Sequence, residues 1–462
     1  MVSWQRLLDS STQSCKVVVC DADSGQVLAE GRATHPDNTE VHPDVWLEAM
    51  NAAGQGLLDG VDAVAVGGQQ HGMVTLDQDG AVIRPALLWN DTRSAAAAAA
   101  LVTEFGGPKA WAEAVGSVPL AAFTVTKLRW LADAEPANAA RVASVMLPHD
   151  WLTWHLLGRP AEAVTDRGDA SGTGYWSPVS ESYREDLLRL ALGHSAALPR
   201  VAAPAEGIGR TASGALVGPG TGDNMAAALG LNARSGDAVV SLGTSGTAFA
   251  VAEHPTADPS GIVAGFADAT GHYLPLVCTL NAARVLAATA EMLGTDLAGL
   301  ETLALSAEPG AGGLVLLPYL DGERTPDLPN ATGSLFGLTR AAMTPANVAR
   351  AAVEGMLCGL ADGVDALREQ GVQFDRALLI GGGARSVAVQ RIAPDVLGLP
   401  VVVPAPAEYV AIGAARQAAW VLSGADTPPD WAVAKEAVAE PTADPARVRE
   451  PYRAAREALY GI

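Results

Sequence analysis

The spacing of apolar and polar residues near the start of the chain predicts strand, turn and strand. CKVVV (15–19) reads as one strand, 21–25 as a polar turn and QVLA (26–29) as the return. A polar, hydroxyl-rich loop, DSSTQS (9–14), leads into this hairpin. The period then becomes helical over 42–58, with Pro43 and Asp44 suited to a first turn. VDAVAVG (61–67) reads as a short buried strand that runs into Gly68, Gln69, Gln70, His71 and Gly72 before strand resumes at 73–76. Glycines bracket Gln69, Gln70 and His71, so these side chains can meet a ligand at close range. A further strand ends in the polar groups Trp89, Asn90 and Asp91. Helices are predicted over 94–105, 126–134 and 148–157, and a polar Gly-rich loop over 165–174.

The centre of the chain repeats the opening layout. AVVSL (238–242), GTSGT (243–247) and AFAV (248–251) read as strand, small hydroxyl-rich turn and strand. Such a turn can offer backbone N–H groups and hydroxyls to a phosphate. Upstream lies a lone acid, Asp223, in the turn GTGDN (220–224). The apolar run 225–231 follows as a helix, with Asp223 or Asn224 as its expected N-cap. A carboxylate ahead of a phosphate cradle suggests a base beside a phosphoryl donor; a capped helix followed by an ordinary hairpin is the plainer reading. The recurrence of strand, loop and strand suggests an internal duplication, with each copy opening one lobe.

The second half supplies matching partners: a strand over 314–320, a long helix over 343–369 starting at Thr344 and Pro345, and a strand over 376–380. That strand runs into Gly381, Gly382, Gly383 and Ala384 at the expected start of another helix. A strand at 400–403 and a helix through Ile412, Gly413, Ala414 and Ala415 complete the pattern. Strands alternating with helices argue for α/β layers, and the hairpins make the sheets mixed.

Composition narrows the partners. The formal charge of −21 opposes a nucleic-acid surface, which needs a basic stripe. It also repels ATP at long range, so a nucleotide site here must rest on local backbone donors and a divalent cation. No apolar run reaches the length of a membrane span, and the first residues lack a basic segment followed by an apolar one. The four cysteines are scattered without a C-x-x-C pair, which points to a reducing cytoplasm. The eight histidines do not cluster, and no G-x-x-x-x-G-K-[ST], H-E-x-x-H or G-x-S-x-G occurs.

Taken together, DSSTQS (9–14), GGQQHG (67–72), LLWNDTR (87–93), FTVTK (123–127), LPHDWL (147–152), TDRGDASGTG (165–174), GTGDN (220–224), SLGTSGT (241–247), LPYLDGERTP (317–326), FGLTR (336–340) and IGGGARS (380–386) carry a resemblance. In that order they resemble the FGGY carbohydrate-kinase family of the actin-like ATPase superfamily. The GQ-x-HG, GTGDN and GERTP elements are more similar to the branch acting on D-xylulose than to the glycerol and gluconate branches. The resemblance implies two actin-like (ribonuclease H-like) α/β lobes with mixed sheets flanked by helices and an active site in the cleft between them. An N-terminal lobe over 1–231, a C-terminal lobe over 232–425 and a tail over 426–462 follow from it.

The same resemblance implies ATP-dependent phosphorylation of D-xylulose at O5. It makes Asp223 the general base, ionised at neutral pH from an ordinary carboxylate pKa of about 3.9. Gln70, His71 and Asn224 would hold the ketose, with Trp89 and Asp91 as further wall residues. Asp9 would position Mg²⁺. Thr12, Gln13 and Lys16 would line the first phosphate loop, Gly243 and Thr244 the second, and Gly382 and Gly383 the adenosine side. The implied partners are the sugar and ATP, with no nucleic acid, no membrane and a homodimer left open. One departure stands out: Gln5 and Arg6 are poor residues for a central strand, and Leu7 stands where the family has glycine. Either a misplaced start or a weakened first strand is therefore expected. A kinase for ribulose, L-xylulose or another polyol, or a catalytically weak binding protein on the same scaffold, are the alternatives.

Overall fold

The computed structural model describes residues 4–57 and 60–462, with side chains from Asp9 onward. The expected end of the first helix at 58 lies outside the described residues; its described part is Asp44–Ala53. The chain divides into two compact units, and neither is continuous in sequence. The first comprises Met1–Ala233, Ala252–Leu274 and Ala407–Ala432, and the second Arg234–Val251, Pro275–Pro406 and Val433–Ile462.

In the first unit a mixed sheet runs in the order Gly209–Arg210, Leu216–Val217, Ala63–Gly68, Trp4–Ser10, Ser14–Asp21, Val27–Thr34. Trp4–Ser10 pairs antiparallel with Ser14–Asp21 and parallel with Ala63–Gly68. The expected weakening of the first strand does not appear in the backbone: Gln5, Arg6 and Leu7 pair on both sides. Neighbours override a single strand's propensity in this way because pairing and burial, not residue type alone, decide it. The two faces follow from the alternation of side chains along a strand. Cys15, Val17, Val64 and Val66 pack with Trp46, Met50, Trp151 and Leu152 on one face. Val18, Cys20, Ala63 and Ala65 meet Ala411, Ala414, Ala415 and Ala418 of helix Tyr409–Ser423 on the other. Both faces are covered, so Ala63–Gly68 is buried throughout. Gly413 of that helix allows backbone contact with helix Asp223–Gly230: a Cβ added there would lie 1.7 Å from Ala226 O.

The second unit repeats the connectivity. Gly236–Leu242 pairs antiparallel with Gly246–Ala250 and parallel with Phe374–Ile380, as the first strand pairs with its hairpin partner and with Ala63–Gly68. Gly246–Ala250 then pairs with Tyr273–Thr279, and Phe374–Ile380 with Val401–Pro404. Helix Pro345–Glu369 begins as its sequence predicts, with Pro345 in the first turn and the Thr344 hydroxyl accepting from Asn347 N at 3.2 Å. Two local expectations are corrected. The segment 165–174 holds a helical turn, Arg167–Ser171, capped by the Asp166 carboxylate, so a polar stretch read as loop winds up around its own cap. The strand expected over 314–320 is limited to Val315–Leu317, paired with Ser334–Phe336. Among the described residues no helix is long and apolar enough to cross a membrane.

Candidate active site

Three loops of the first unit leave the carboxyl ends of parallel strands: Trp4–Ser10, Ala63–Gly68 and Thr221–Gly222. That edge is where open α/β sheets gather ligands. Asp9 lies one residue before the end of its strand, opposite Lys16 in the hairpin and Gly67 in the parallel neighbour. It is 1% exposed, and its Oδ1 has no hydrogen-bond partner among the described residues. Burial pushes its pKa up to about 7; Lys16 pulls it down, and the charges of Asp223 and Glu408 add to the rise. Lys16 Nζ is 2.5 Å from Glu408 Oε2 and 3.8 Å from Asp9 Oδ2. A buried carboxylate with a vacant oxygen suits a hard, oxygen-seeking cation.

Thr12 and Gln13 stand in the tight turn closed by Ser11 N donating to Ser14 O at 3.1 Å. Gln13 is exposed, and Thr12 Oγ1 accepts from Trp89 Nε1 at 2.8 Å, so the Trp89 loop reaches the first turn. Asp91 is buried, and its carboxylate accepts from Thr39 Oγ1, Arg93 N and Arg93 Nε. Burial works to raise its pKa, but the Arg93 and Thr39 hydrogen bonds hold it below the usual carboxylate value.

Gln70 is buried; its Oε1 accepts from Asn224 Nδ2 at 3.2 Å, and its Nε2 has no partner among the described residues. With the carbonyl engaged, the amide is presented as a donor. His71 holds a left-handed φ of 68°, uncommon for a residue with a side chain. Its Nδ1 is 2.6 Å from Gly172 O, which places a proton on that nitrogen. The ring stacks on Phe123 at 4.8 Å between centroids.

Asp223 opens helix Asp223–Gly230, but the N-cap is Gly222, so neither Asp223 nor Asn224 caps it as expected. Gly222 has the extended backbone a cap requires, and Asp223 is already helical. The Asp223 carboxylate instead accepts from Asn224 N and Asn224 Nδ2, both at 2.8 Å and both on Oδ1. Desolvation raises its pKa to about 6 against the lowering effect of those bonds. Such a group is mostly ionised at neutral pH yet holds a proton more firmly than an ordinary aspartate.

In the second unit, the loops 243–245 and 381–383 leave adjacent parallel strands, whose register sets Ser241 beside Ile380. The carbonyls of Gly243 and Thr244 accept from Ala283 N at 2.9 Å and Ala282 N at 3.3 Å, which leaves the shape of the turn fixed. Gly381 has φ 88°, and a Cβ there would lie 2.7 Å from Leu242 O. A Cβ on Gly382 would meet nothing within 4 Å among the described residues. The glycines do not open a helix as expected: Gly382–Arg385 is a short 3₁₀ turn, and helix Val387–Leu397 starts afterwards, capped by Ser386.

Sequence reading missed two groups that act on this site. Glu408 holds Lys16, and its only signal was an acid directly before the helix through Ile412 and Gly413. Gln417 is fully buried; Gly220 N donates to its Oε1 at 2.9 Å, and its Nε2 donates to Gly220 O at 3.0 Å. The polar pair Arg416 and Gln417 inside the otherwise apolar run of helix Tyr409–Ser423 was the clue available.

Comparison with known proteins supplies relatives. The pattern of the FGGY family of carbohydrate kinases, N-terminal domain, matches residues 6–231, and that of its C-terminal domain matches residues 238–422. A xylulose kinase of Streptomyces coelicolor is 47% identical over 436 residues, covering 91% of this chain and 88% of its own. A xylulose kinase of Escherichia coli is 33% identical, covering 85% of this chain and 84% of its own. The crystal structure of xylulose kinase from Bifidobacterium adolescentis is similar with a TM-score of 0.91 and 46% identity, over 98% of this chain and 99% of that one.

Proposed function

The chain belongs to the FGGY family of carbohydrate kinases, and from that premise we propose that it transfers the γ-phosphoryl group of ATP to O5 of D-xylulose. The xylulose kinases it resembles over most of its length support the choice of sugar. The observation that carries the chemistry is Asp223, a carboxylate with a pKa raised to about 6 and both its hydrogen bonds on one oxygen. Asp223 Oδ2 takes the proton from the sugar hydroxyl as that oxygen attacks phosphorus. Phosphoryl transfer depends mostly on alignment and charge stabilisation, so this base contributes about 10²–10⁴ of the rate.

Gln70 Nε2 donates to a sugar hydroxyl, with Asn224 holding the amide in place. His71 packs its ring against the sugar side of the loop, and Trp89 and Asp91 shape the neighbouring wall. Thr12, Gln13 and Lys16 receive phosphate oxygens in the first unit. Gly243 and Thr244 do so in the second, and Gly382 and Gly383 pack against the adenosine. Asp9 would hold Mg²⁺, whose orphaned Oδ1 and burial fit that role; when bound, the ion supplies positive charge against the phosphates. The sugar-handling residues fall in 1–231, and the nucleotide loops 243–244 and 382–383 fall in 232–425. The four cysteines form no disulfide among the described residues, and this and the use of ATP support a cytoplasmic location.

The test is a panel of D-xylulose, L-xylulose, ribulose, glycerol and gluconate in a coupled ADP-release assay with MgATP. D-xylulose is expected to give the highest kcat/KM. Turnover of another sugar with none of D-xylulose overturns the proposal.

A further inference from the structure

Behind the sugar-side loops lies a group that the phosphoryl-transfer reading leaves unused. His149 is 0% exposed, and Asp150, Asp166 and Asp169 around it are 1%, 2% and 0% exposed. His149 Nδ1 is 2.5 Å from Asp169 Oδ2, and its Nε2 is 3.4 Å from Asp150 Oδ1 and 3.9 Å from Asp166 Oδ1. Burial alone would strip the imidazole of its charge, but the three acids raise its pKa to about 10. One ring thus carries the positive charge that three buried carboxyls face. The short Nδ1–Oδ2 separation is filled by a proton. Two ligands of one metal ion, each about 2.1 Å from it, would stand more than about 3 Å apart.

The cluster touches two of the substrate loops, 67–72 and 220–224. A Cβ on Gly68 would fall 2.8 Å from His149 Cβ, so the imidazole backbone and strand end are in contact just before Gln69, Gln70 and His71. A Cβ on Gly220 would fall 2.7 Å from His149 Cδ2, so the GTGDN turn rests on the ring. Thr221 Oγ1 donates to Asp166 Oδ2 at 2.6 Å, two residues ahead of Asp223. Asp169 lies in helical turn Arg167–Ser171, and the Gly172 carbonyl just past that turn meets His71 Nδ1. A well-packed apolar group would fill such a space at lower cost in desolvation. The charged cluster instead adds a directional bond to the GTGDN turn, from Thr221 Oγ1 to Asp166, beside its packing against Gly68 and Gly220.

We propose that His149, with Asp150, Asp166 and Asp169, is a positioning residue for the sugar subsite, setting where Gln70, His71 and Asp223 are presented. The proposal rests on the reading of those three residues as the sugar-handling set.

The experiment compares Thr221→Val, His149→Gln and His149→Lys with the wild type. Steady-state kinetics are measured separately for sugar and MgATP, using the best sugar of the panel. Thermal unfolding and imidazole ¹⁵N spectra accompany them. Thr221→Val removes one hydroxyl and keeps the shape, so it reads the effect even if a His149 variant does not fold. Misplacing reacting groups by up to about 1 Å costs on the order of 10²-fold. We expect Thr221→Val to lower kcat/KM for the sugar about tenfold or more, with KM for ATP within about twofold of wild type. His149→Gln is expected to do the same, and His149→Lys, which keeps the cation, to recover part of the loss. The ¹⁵N spectrum is expected to show both ring nitrogens of His149 protonated at pH 7.5. Equal effects on sugar and ATP, no effect of Thr221→Val, or a neutral His149 ring overturns the proposal. A wild type inactive on D-xylulose but active on another sugar overturns the choice of substrate and leaves this comparison intact on that sugar.

Discussion

Gln417 grips Gly220 by both of its backbone polar groups, accepting from N at 2.9 Å and donating to O at 3.0 Å. The pair joins a helix near residue 417 to a turn almost two hundred positions earlier, three residues before Asp223. All of these atoms are buried, so removing the amide leaves two backbone groups without partners. Each such loss costs about 1–3 kcal/mol. Gln417→Leu is therefore expected to lower stability by about 2–6 kcal/mol in urea titrations and to reduce kcat. Unaltered stability would show that water replaces the amide.

Asp223→Ala should lower kcat by about 10²–10⁴ while sugar binding, measured by calorimetry, stays within a few fold. The N-cap is Gly222, so the substitution removes no helix cap. A variant that fails to fold would contradict the assignment of Asp223 to chemistry over structure.

The pH dependence has a definite sign. Asp223 must be ionised to accept a proton, and its pKa is raised to about 6. kcat/KM is expected to fall as pH drops below about 6, where an ordinary aspartate would hold activity to about 4. A profile flat from pH 7 to pH 4.5 would remove Asp223 as the base.

Asp9 gives the matching prediction for stability. Its folded pKa is about 7 against an ordinary value near 4, so the folded protein binds this proton more tightly than the unfolded chain. The penalty of ionising it is absent below about pH 4, grows between pH 4 and 7, and is complete above 7. Asp9→Asn should thus raise Tm at pH 8 and leave it unchanged at pH 4, while abolishing turnover with MgATP. A Tm gain of equal size at both pH values would mean that the charge is not the cause.

Gly381 and Gly382 should respond differently to alanine. Gly381→Ala adds a Cβ 2.7 Å from Leu242 O at a left-handed φ, so it should destabilise the second unit and raise KM for ATP. Gly382→Ala meets open space among the described residues, so any rise in KM for ATP without loss of Tm reports contact with the nucleotide. Unchanged ATP kinetics in Gly382→Ala would remove this glycine from the adenosine site.

Much of this architecture was legible because its signals are local. The hairpin 15–29, the strand 61–67, the turn 243–247 and the start of the long helix at Thr344 and Pro345 each follow from residues within a few positions. The family also followed from the order of its motifs, and the domain matches bear it out. What the sequence hid is long-range. Gln417 and Glu408 act on residues some two and four hundred positions away, and nothing beside them in the chain reveals their partners. His149 looked like part of a helix start and Asp166 like part of a loop; only folding shows that they share one buried cluster. Gln5 and Arg6 misled because the pairing on both sides of their strand outweighs their own preference.

The discontinuous first unit has a consequence for biosynthesis. Ala63, Ala65, Val18 and Cys20 await the alanine face of helix Tyr409–Ser423, which is made long after them. At about 5–20 residues per second, the gap between residues 233 and 432 leaves that sheet face uncovered on the ribosome for roughly 10–40 s. The growing chain must therefore carry an open apolar surface through the whole synthesis of most of the second unit. A nascent chain stalled before residue 407 should bind holding chaperones, and one released after 432 should not.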